Sequence, residues 1–223
     1  MNHNILYSFR RCPYAIRARW ALLNTNQVVE LREVDLKNKP LELIQISQKA
    51  TVPVMITNSN KVIDESIEIM IWSIKKSNML TLLGDKFNGK SKEIFSLIDK
   101  NDKVFKYHLD RFKYASRFNI EESETHRKAS MEILISLNSR LKKFSEKGKP
   151  LFLVDAKETL ADWAIWPFVR QFRIADVAKF DQNHELEFLK RWLNYFLNHE
   201  KYPILMKKTK PWKTRNKPSI FGA

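Results

Sequence analysis

Apolar and polar residues in the first 80 positions alternate between patterns typical of strands and patterns typical of helices. Residues 5–9 and 28–35 follow strand patterns, and residues 14–23 between them follow a helical one. A strand, a helix and a second strand in this order predict a βαβ unit. A short helix, two strands that pair across a turn and a last helix are predicted next: 40–47, 52–57, 61–63 and 66–76. The predicted order is therefore βαβ-α-ββα.

Beyond residue 80 the pattern becomes helical. Residues 81–91 concentrate glycine, aspartate and asparagine, which favour turns, and we interpret them as a linker. Residues 92–118 and 125–145 are predicted to be long helices. In the second of these, apolar side chains recur every three or four residues, as a buried helical face requires: Met131, Leu134, Leu137, Leu141 and Phe144. No strand pattern follows, so residues 92–223 are predicted to form an all-helical bundle that ends in a basic tail.

The composition is typical of a protein with ordinary packed cores, since 43% of the 223 residues are apolar and 12% are aromatic. The single cysteine excludes an intramolecular disulfide and any zinc site that needs several thiolates. It also favours a reducing compartment. No segment has the roughly 18 uncharged apolar residues of a membrane span, and no apolar signal core is found. We therefore expect a cytoplasmic protein with no membrane partner.

The net charge of +15 is unevenly distributed. Residues 201–223 hold seven basic residues and no acidic one. A basic segment that also carries aromatic residues, here Trp212 and Phe221, can bind nucleic acid. A solvated basic terminus is the commoner explanation of such a segment, so nucleic acid is not the expected partner.

The lone cysteine, Cys12, lies where the first predicted strand gives way to the first helix. Its sulfur would lie near the free N–H groups of the first helical turn, and Arg10 and Arg11 precede it, so we expect a pKa below the ~8.5 of a free cysteine. The alternative is a small buried hydrophobic residue. Because Ala15 stands where a dithiol motif has its second cysteine, a mixed disulfide at Cys12 would need an outside thiol to resolve it. Glutathione is the obvious candidate.

Four motifs in one order resemble the cysteine-containing glutathione transferases, especially the omega class. They are residues 5–19 (ILYSFRRCPYAIRAR), 35–40 (DLKNKP), 51–54 (TVPV) and 64–66 (DES). Residues 159–168 (TLADWAIWPF) resemble the capped core helix of that family's helical domain. The resemblance thus covers both halves of the chain. It implies an N-terminal thioredoxin-like, glutathione-binding domain over residues 1–80, and residues 92–223 as the helical domain.

The resemblance also implies roles for individual residues. Cys12 would form a mixed disulfide with glutathione or hold its sulfur. Pro53 would be the cis-proline that presents the Val52 backbone to the cysteinyl part of glutathione. The γ-glutamyl end would be held by Glu65 and Ser66, because a carboxylate suits its ammonium and a hydroxyl at a helix N-terminus suits its carboxylate. Lys39 would lie near a glutathione carboxylate. The resemblance further implies a homodimer.

Tyr7 is the rival catalytic residue, since tyrosine-type members of the wider family carry a hydroxyl there that hydrogen-bonds the glutathione thiolate. If Tyr7 dominates, the enzyme conjugates glutathione to electrophiles; if Cys12 dominates, it reduces mixed disulfides or oxidised small molecules. The alternative for Tyr7 is a strand residue packed beneath the first helix. A non-catalytic adaptor related to glutathione transferases, which uses its basic tail to bind protein or nucleic acid, is the competing hypothesis.

The sequence predicts glutathione as cosubstrate and leaves the second substrate, a small molecule or a disulfide, unidentified. No metal is predicted, because the histidines are scattered along the chain and lack paired thiolates: His3, His108, His126, His184 and His199. Thr159 and Asp162 are spaced as a helix capping box and are interpreted as stabilising residues.

Overall fold

The computed structural model describes residues 3–145 and 149–222. The chain divides into two compact units. One contains the described residues up to Leu80 together with residues 200–222, which we call the C-terminal strap. The other contains the described residues of Thr81–His199. Within the described ranges, no helix combines the length and the apolar character that a membrane crossing requires.

The first unit is built on a sheet whose strands lie in the order β4-β3-β1-β2-β5. The strands are β1 (Asn4–Ser8), β2 (Val29–Glu33), β3 (Val54–Ile56), β4 (Val62–Ile63) and β5 (Ser219–Phe221). The helices between them are α1 (Pro13–Asn24), α2 (Leu41–Ile46) and α3 (Ser66–Lys76). β1 and β2 are parallel and α1 connects them, whereas the other neighbouring pairs are antiparallel. The predicted βαβ-α-ββα order and the thioredoxin-like character are confirmed.

The C-terminal strap corrects two expectations. No strand was predicted beyond residue 91, but β5 pairs with β2 in the register Val29↔Phe221. The basic tail was assigned to the helical bundle, but it packs in the first unit. A strand of three residues is too short to show an alternating pattern, and its partner lies about 190 positions earlier in the chain, so neither feature has a local sequence signal.

The second unit consists of helices, as predicted. They are α4 (Lys90–Lys100), α5 (Lys106–Lys113), α6 (Ser123–Lys143), α7 (Leu160–Ala175), α8 (Val177–Gln182) and α9 (Glu187–Leu197). The strap itself begins with the short helix α10 (Tyr202–Leu205). The single helix predicted over 92–118 is α4 and α5 joined by a π-helical turn, Asn101–Phe105. In α6 the predicted stripe is buried at Leu134, Leu137 and Leu141.

Helix α7 is anchored by a capping box between Thr159 and Asp162. The Asp162 carboxylate is fully buried and accepts hydrogen bonds from the Thr159 N–H, the Thr159 hydroxyl, the Leu153 N–H and the Trp192 indole, at 2.8–2.9 Å. Burial raises the pKa of Asp162 to about 6. One carboxylate thus joins three segments of the helical core, in the stabilising role that its spacing predicted.

Candidate functional site

Cys12 directly precedes Pro13, the first residue of α1. Its N–H donates to the Phe9 carbonyl at 3.0 Å, and its carbonyl accepts from the Ile16 N–H at 2.8 Å. The side chain is partly exposed, and its Sγ lies 3.7 Å from the Val52 carbonyl oxygen. Because the N-terminus of a helix carries a partial positive charge, this position stabilises a thiolate.

The Val52–Pro53 peptide lies beside Cys12 although 40 positions separate Val52 from the cysteine. This peptide bond is cis. Pro53 is buried and Val52 is partly exposed, just before β3 begins. The fold therefore brings the backbone that was predicted to bind the cysteinyl part of glutathione next to the predicted nucleophile.

Glu65 and Ser66 lie at the start of α3. Ser66 is its first residue and is 3% exposed, whereas Glu65 precedes it with an exposed carboxylate. The Glu65 carboxylate forms an ion pair with the Lys49 ammonium at 2.5 Å, and this hydrogen bond raises the pKa of Lys49. An ammonium group is thus already bound where the resemblance puts the ligand's ammonium.

Arg17 is a candidate site residue that the sequence analysis did not single out. It lies on α1, is 2% exposed, and its Nε donates to the Ser66 hydroxyl at 3.0 Å. Its guanidinium also lies 4.8 Å from the centre of the Tyr14 ring. The available signal was an arginine on the buried face of a helix, since a buried guanidinium needs hydrogen-bond acceptors.

Lys39 lies in the connection between β2 and α2, immediately before Pro40, and is partly exposed. Its predicted contact with a glutathione carboxylate stays a prediction.

Tyr7 is fully buried, and its hydroxyl accepts a hydrogen bond from Arg32 at 2.6 Å. Burial raises the pKa of Tyr7. Its ring packs in a cluster that includes Leu43 of α2 and Trp212 of the strap, so the expectation that it packs beneath the first helix is wrong. Because successive side chains of a strand point to opposite faces of the sheet, Tyr7 of β1 lies on the face that α2 covers.

The aromatic residues of the strap are also engaged within the first unit. The Trp212 N–H donates to the Glu33 carbonyl at 2.7 Å, and the Arg32 guanidinium lies 4.2 Å from the Trp212 ring centre. Phe221 is buried in β5. The expectation that these two rings are available to stack on bases is therefore corrected. The basic side chains around them are exposed: Lys207, Lys208, Lys210, Lys213, Arg215 and Lys217.

Two of the histidines that are far apart in the sequence meet in the second unit. The Nδ1 atoms of His108 on α5 and His126 on α6 are 2.8 Å apart, and Glu122 lies 3.6 Å from Nε2 of His126. Burial, followed by the neighbouring His126, lowers the pKa of His108. Across the ranges 3–145 and 149–222, no group of three or more His, Cys, Asp or Glu side chains is arranged so that it could hold a metal ion.

Comparison with known proteins matches both units to one family. The model of the glutathione S-transferase N-terminal domain matches residues 6–76, and that of the C-terminal domain matches residues 107–194. A curated relative, the chloroplastic glutathione S-transferase L2 of Arabidopsis thaliana, is 27% identical over 202 residues. That alignment covers 88% of this chain, and the chain spans 64% of the length of the relative.

Solved structures show the same fold. A Tau class glutathione S-transferase from mango, Mangifera indica, has a TM-score of 0.78 at 23% identity, with 92% of this chain and 93% of that one covered. A glutathione transferase from Pseudomonas putida, solved with one glutathione disulfide bound per subunit, has a TM-score of 0.73 at 18% identity, covering 92% and 91%. With matching family models in each unit and a shared fold, the chain belongs to the glutathione S-transferase family.

Proposed function

We propose that this protein is an omega-like, glutathione-dependent thiol transferase that works through a mixed disulfide at Cys12. The observation that carries the proposal is the position of Cys12 at the N-terminus of α1, with its Sγ 3.7 Å from the carbonyl of Val52. A helix N-terminus stabilises the thiolate, which is the nucleophilic form. The neighbouring backbone offers an extended peptide such as glutathione a place to pair.

Glutathione binds in this proposal through its cysteinyl backbone at Val52 and Pro53 and through its γ-glutamyl end at Glu65 and Ser66. Arg17 adds a buried positive charge beside the Ser66 hydroxyl, which favours a carboxylate at the start of α3. Lys39 is the proposed partner of another glutathione carboxylate. The glutathione disulfide in the related Pseudomonas putida structure supports this choice of ligand.

The proposed reaction is two successive thiol–disulfide exchanges. The Cys12 thiolate attacks the glutathione sulfur of a glutathionylated substrate, the substrate S–S bond breaks, and the substrate sulfur leaves as a thiolate that takes up a proton. A second glutathione thiolate then attacks the glutathione sulfur bound to Cys12. This step forms glutathione disulfide and releases the Cys12 thiolate. The two electrons that reduce the substrate come from glutathione.

Tyr7-assisted conjugation is the less favoured mechanism. The buried Tyr7 hydroxyl already accepts a hydrogen bond from Arg32, and burial raises the pKa of Tyr7. The exposed lysine and arginine side chains of the strap are available to a binding partner. The neighbouring rings of Trp212 and Phe221, however, are packed within the first unit. The cytoplasmic location and the homodimer stay predictions.

Intact-protein mass spectrometry after brief exposure to glutathione disulfide at mildly acidic pH tests the proposal. With one cysteine in the chain, any disulfide adduct is at Cys12. We expect rapid addition of one glutathione, reversal by free glutathione, and loss of turnover in Cys12→Ser with glutathione binding retained. Full turnover in Cys12→Ser would overturn the proposal and move the chemistry elsewhere.

A further inference from the structure

The turn that carries Cys12 is held from two sides by charged side chains. Oε1 of Glu33, at the end of β2, accepts a hydrogen bond from the Arg10 N–H at 2.8 Å. Nη2 of Arg19, on α1, donates to the Arg10 carbonyl at 2.7 Å. Both backbone groups of Arg10, two residues before Cys12, are therefore bonded to side chains from other elements.

The same two residues hold the C-terminal strap. Nη1 of Arg19 donates to the Leu205 carbonyl at 3.1 Å, and the Glu33 carbonyl accepts from the Trp212 N–H at 2.7 Å. The Arg10 guanidinium also reaches the neighbouring Met206 carbonyl, at 3.4 Å. The strap and the Cys12 turn thus share Arg19 and Glu33 as common supports.

Burial makes this arrangement costly unless its groups are bonded. Arg19 is 1% exposed and Glu33 is 7% exposed. A buried charge lowers stability unless hydrogen bonds compensate for the lost water. Within the described residues, Oε2 of Glu33 has no hydrogen-bond partner, and burial raises the pKa of this carboxyl. A buried carboxylate with one unbonded oxygen contributes little to stability, so stability alone does not account for Glu33 at this position.

We propose that Arg19 and Glu33 are positioning residues for Cys12, and that the strap, through its contacts with both, sets the pH at which the Cys12 thiol ionises. The proposal rests on the function proposed above for Cys12. The electrostatic benefit of a helix N-terminus falls off within one turn, so a small displacement of the Cys12 turn changes how far the thiolate is stabilised.

The test is the pH profile of Cys12 alkylation by iodoacetamide in the full chain, without glutathione. Four variants are compared with the wild type: Arg19→Lys, Glu33→Asp, Trp212→Leu and, as the control, Arg191→Lys on the exposed face of α9. We expect the first three to move the midpoint of the profile upward by about one pH unit, which slows alkylation about tenfold at mildly acidic pH. At alkaline pH the rates converge, because every thiol is then ionised. The control should match the wild type.

The outcomes separate this inference from the proposed function. A wild-type midpoint near the ~8.5 of a free cysteine would overturn the proposed function. An activated wild type whose midpoint is unchanged in Arg19→Lys and Glu33→Asp would overturn this inference alone. If Arg19→Lys does not fold, Glu33→Asp and Trp212→Leu decide. Glu33→Asp keeps the charge but shortens the side chain that accepts from the Arg10 N–H, and Trp212→Leu loosens the strap by removing the ring that packs on Arg32. Slower alkylation with an unchanged midpoint would mean a steric effect and would also overturn it.

Discussion

The hydroxyl of Tyr7 accepts a hydrogen bond from Arg32 at 2.6 Å, and the same guanidinium lies 4.2 Å from the centre of the Trp212 ring. The Tyr7 and Trp212 rings meet edge to face, with centroids 6.0 Å apart. Two central strands and the C-terminal strap are therefore joined by one stack of side chains. This geometry supports a structural role for Tyr7, in line with the mechanism proposed at Cys12.

Tyr7→Phe tests this relationship. We expect thiol-transfer turnover to stay within about twofold of the wild type, while the free energy of unfolding falls by about 1–2 kcal/mol because Arg32 loses a buried acceptor. Urea unfolding and steady-state assays measure the two effects on one preparation. The opposite pattern, with turnover lost and stability kept, would make Tyr7 catalytic.

Arg17→Met is expected to weaken glutathione binding about tenfold, which corresponds to about 1.4 kcal/mol. The variant removes the buried guanidinium that donates to Ser66 at the start of α3. A double-mutant cycle with Ser66→Ala, in which titration calorimetry measures glutathione binding, distinguishes an effect that acts through Ser66 from a general loss of structure. Independent, additive effects of the two substitutions would contradict a shared role in binding.

Asp162 predicts a pH-dependent contribution to stability. Its pKa is raised by burial to about 6 in the folded chain, above the ~3.9 of an unfolded aspartate, so folding favours its protonated form. Its contribution to the free energy of unfolding therefore increases as the pH falls from about 6 to about 4. Asp162→Asn should be less stable at neutral pH by about 2–4 kcal/mol, because one amide oxygen replaces two carboxylate oxygens that accept four donors.

The difference in stability between the wild type and Asp162→Asn should widen by up to about 3 kcal/mol on acidification over that interval. Urea unfolding of both proteins at a series of pH values measures this difference. Subtracting one free energy of unfolding from the other removes the contribution of all other titrating groups. Thr159→Ala, which removes one donor, is the milder variant if the asparagine variant does not fold. A difference that narrows with acid would mean that the hydrogen bonds outweigh burial and keep the pKa low.

The histidine pair predicts a loss of stability in mild acid. Because burial and the facing His126 lower the pKa of His108 below its ordinary 6.5, its stabilising contribution is complete above that value and is lost as the pH falls through the lower folded pKa. Arg111 acts in the same direction, whereas Glu132 opposes it. His108→Gln should flatten the pH dependence of thermal unfolding between about pH 7 and pH 5. His184→Gln, at an exposed position, is the control and should leave it unchanged.

Gly222 tests the docking of the strap. Its φ is +91°, and a Cβ there would lie 2.7 Å from the Gln27 carbonyl oxygen. Gly89 also has a positive φ, +76°, but a Cβ there would meet no atom within 4 Å. Gly222→Ala should therefore release β5 and speed tryptic cleavage of the strap. Gly89→Ala should lower the free energy of unfolding by only about 1–2 kcal/mol, from backbone strain. Equal cleavage rates in both variants would mean that β5 does not hold the strap.

Local patterns in the sequence were sufficient for most of the fold. The order of elements in the first unit, the helix Ser66–Lys76 and the capping box at Thr159 each depend on neighbours within a few positions. Spacing alone reveals such features, because strand and helix periodicities are local. The same holds for Cys12 at the start of a helix, which follows from its place between a strand pattern and a helical one.

The contacts that define the candidate site were decided only by the tertiary structure. Arg17 reaches Ser66 across 49 positions, and Tyr7 reaches Arg32 through the register of two parallel strands. The docking of the strap on Arg19 and Glu33 depends on pairing between opposite ends of the chain, which leaves no periodicity in the residues that take part. The order of local patterns along the chain determined which elements form and that Cys12 lies at the start of a helix. Side-chain partners of buried polar groups follow from packing in three dimensions, because each donor takes whichever acceptor the fold brings within reach.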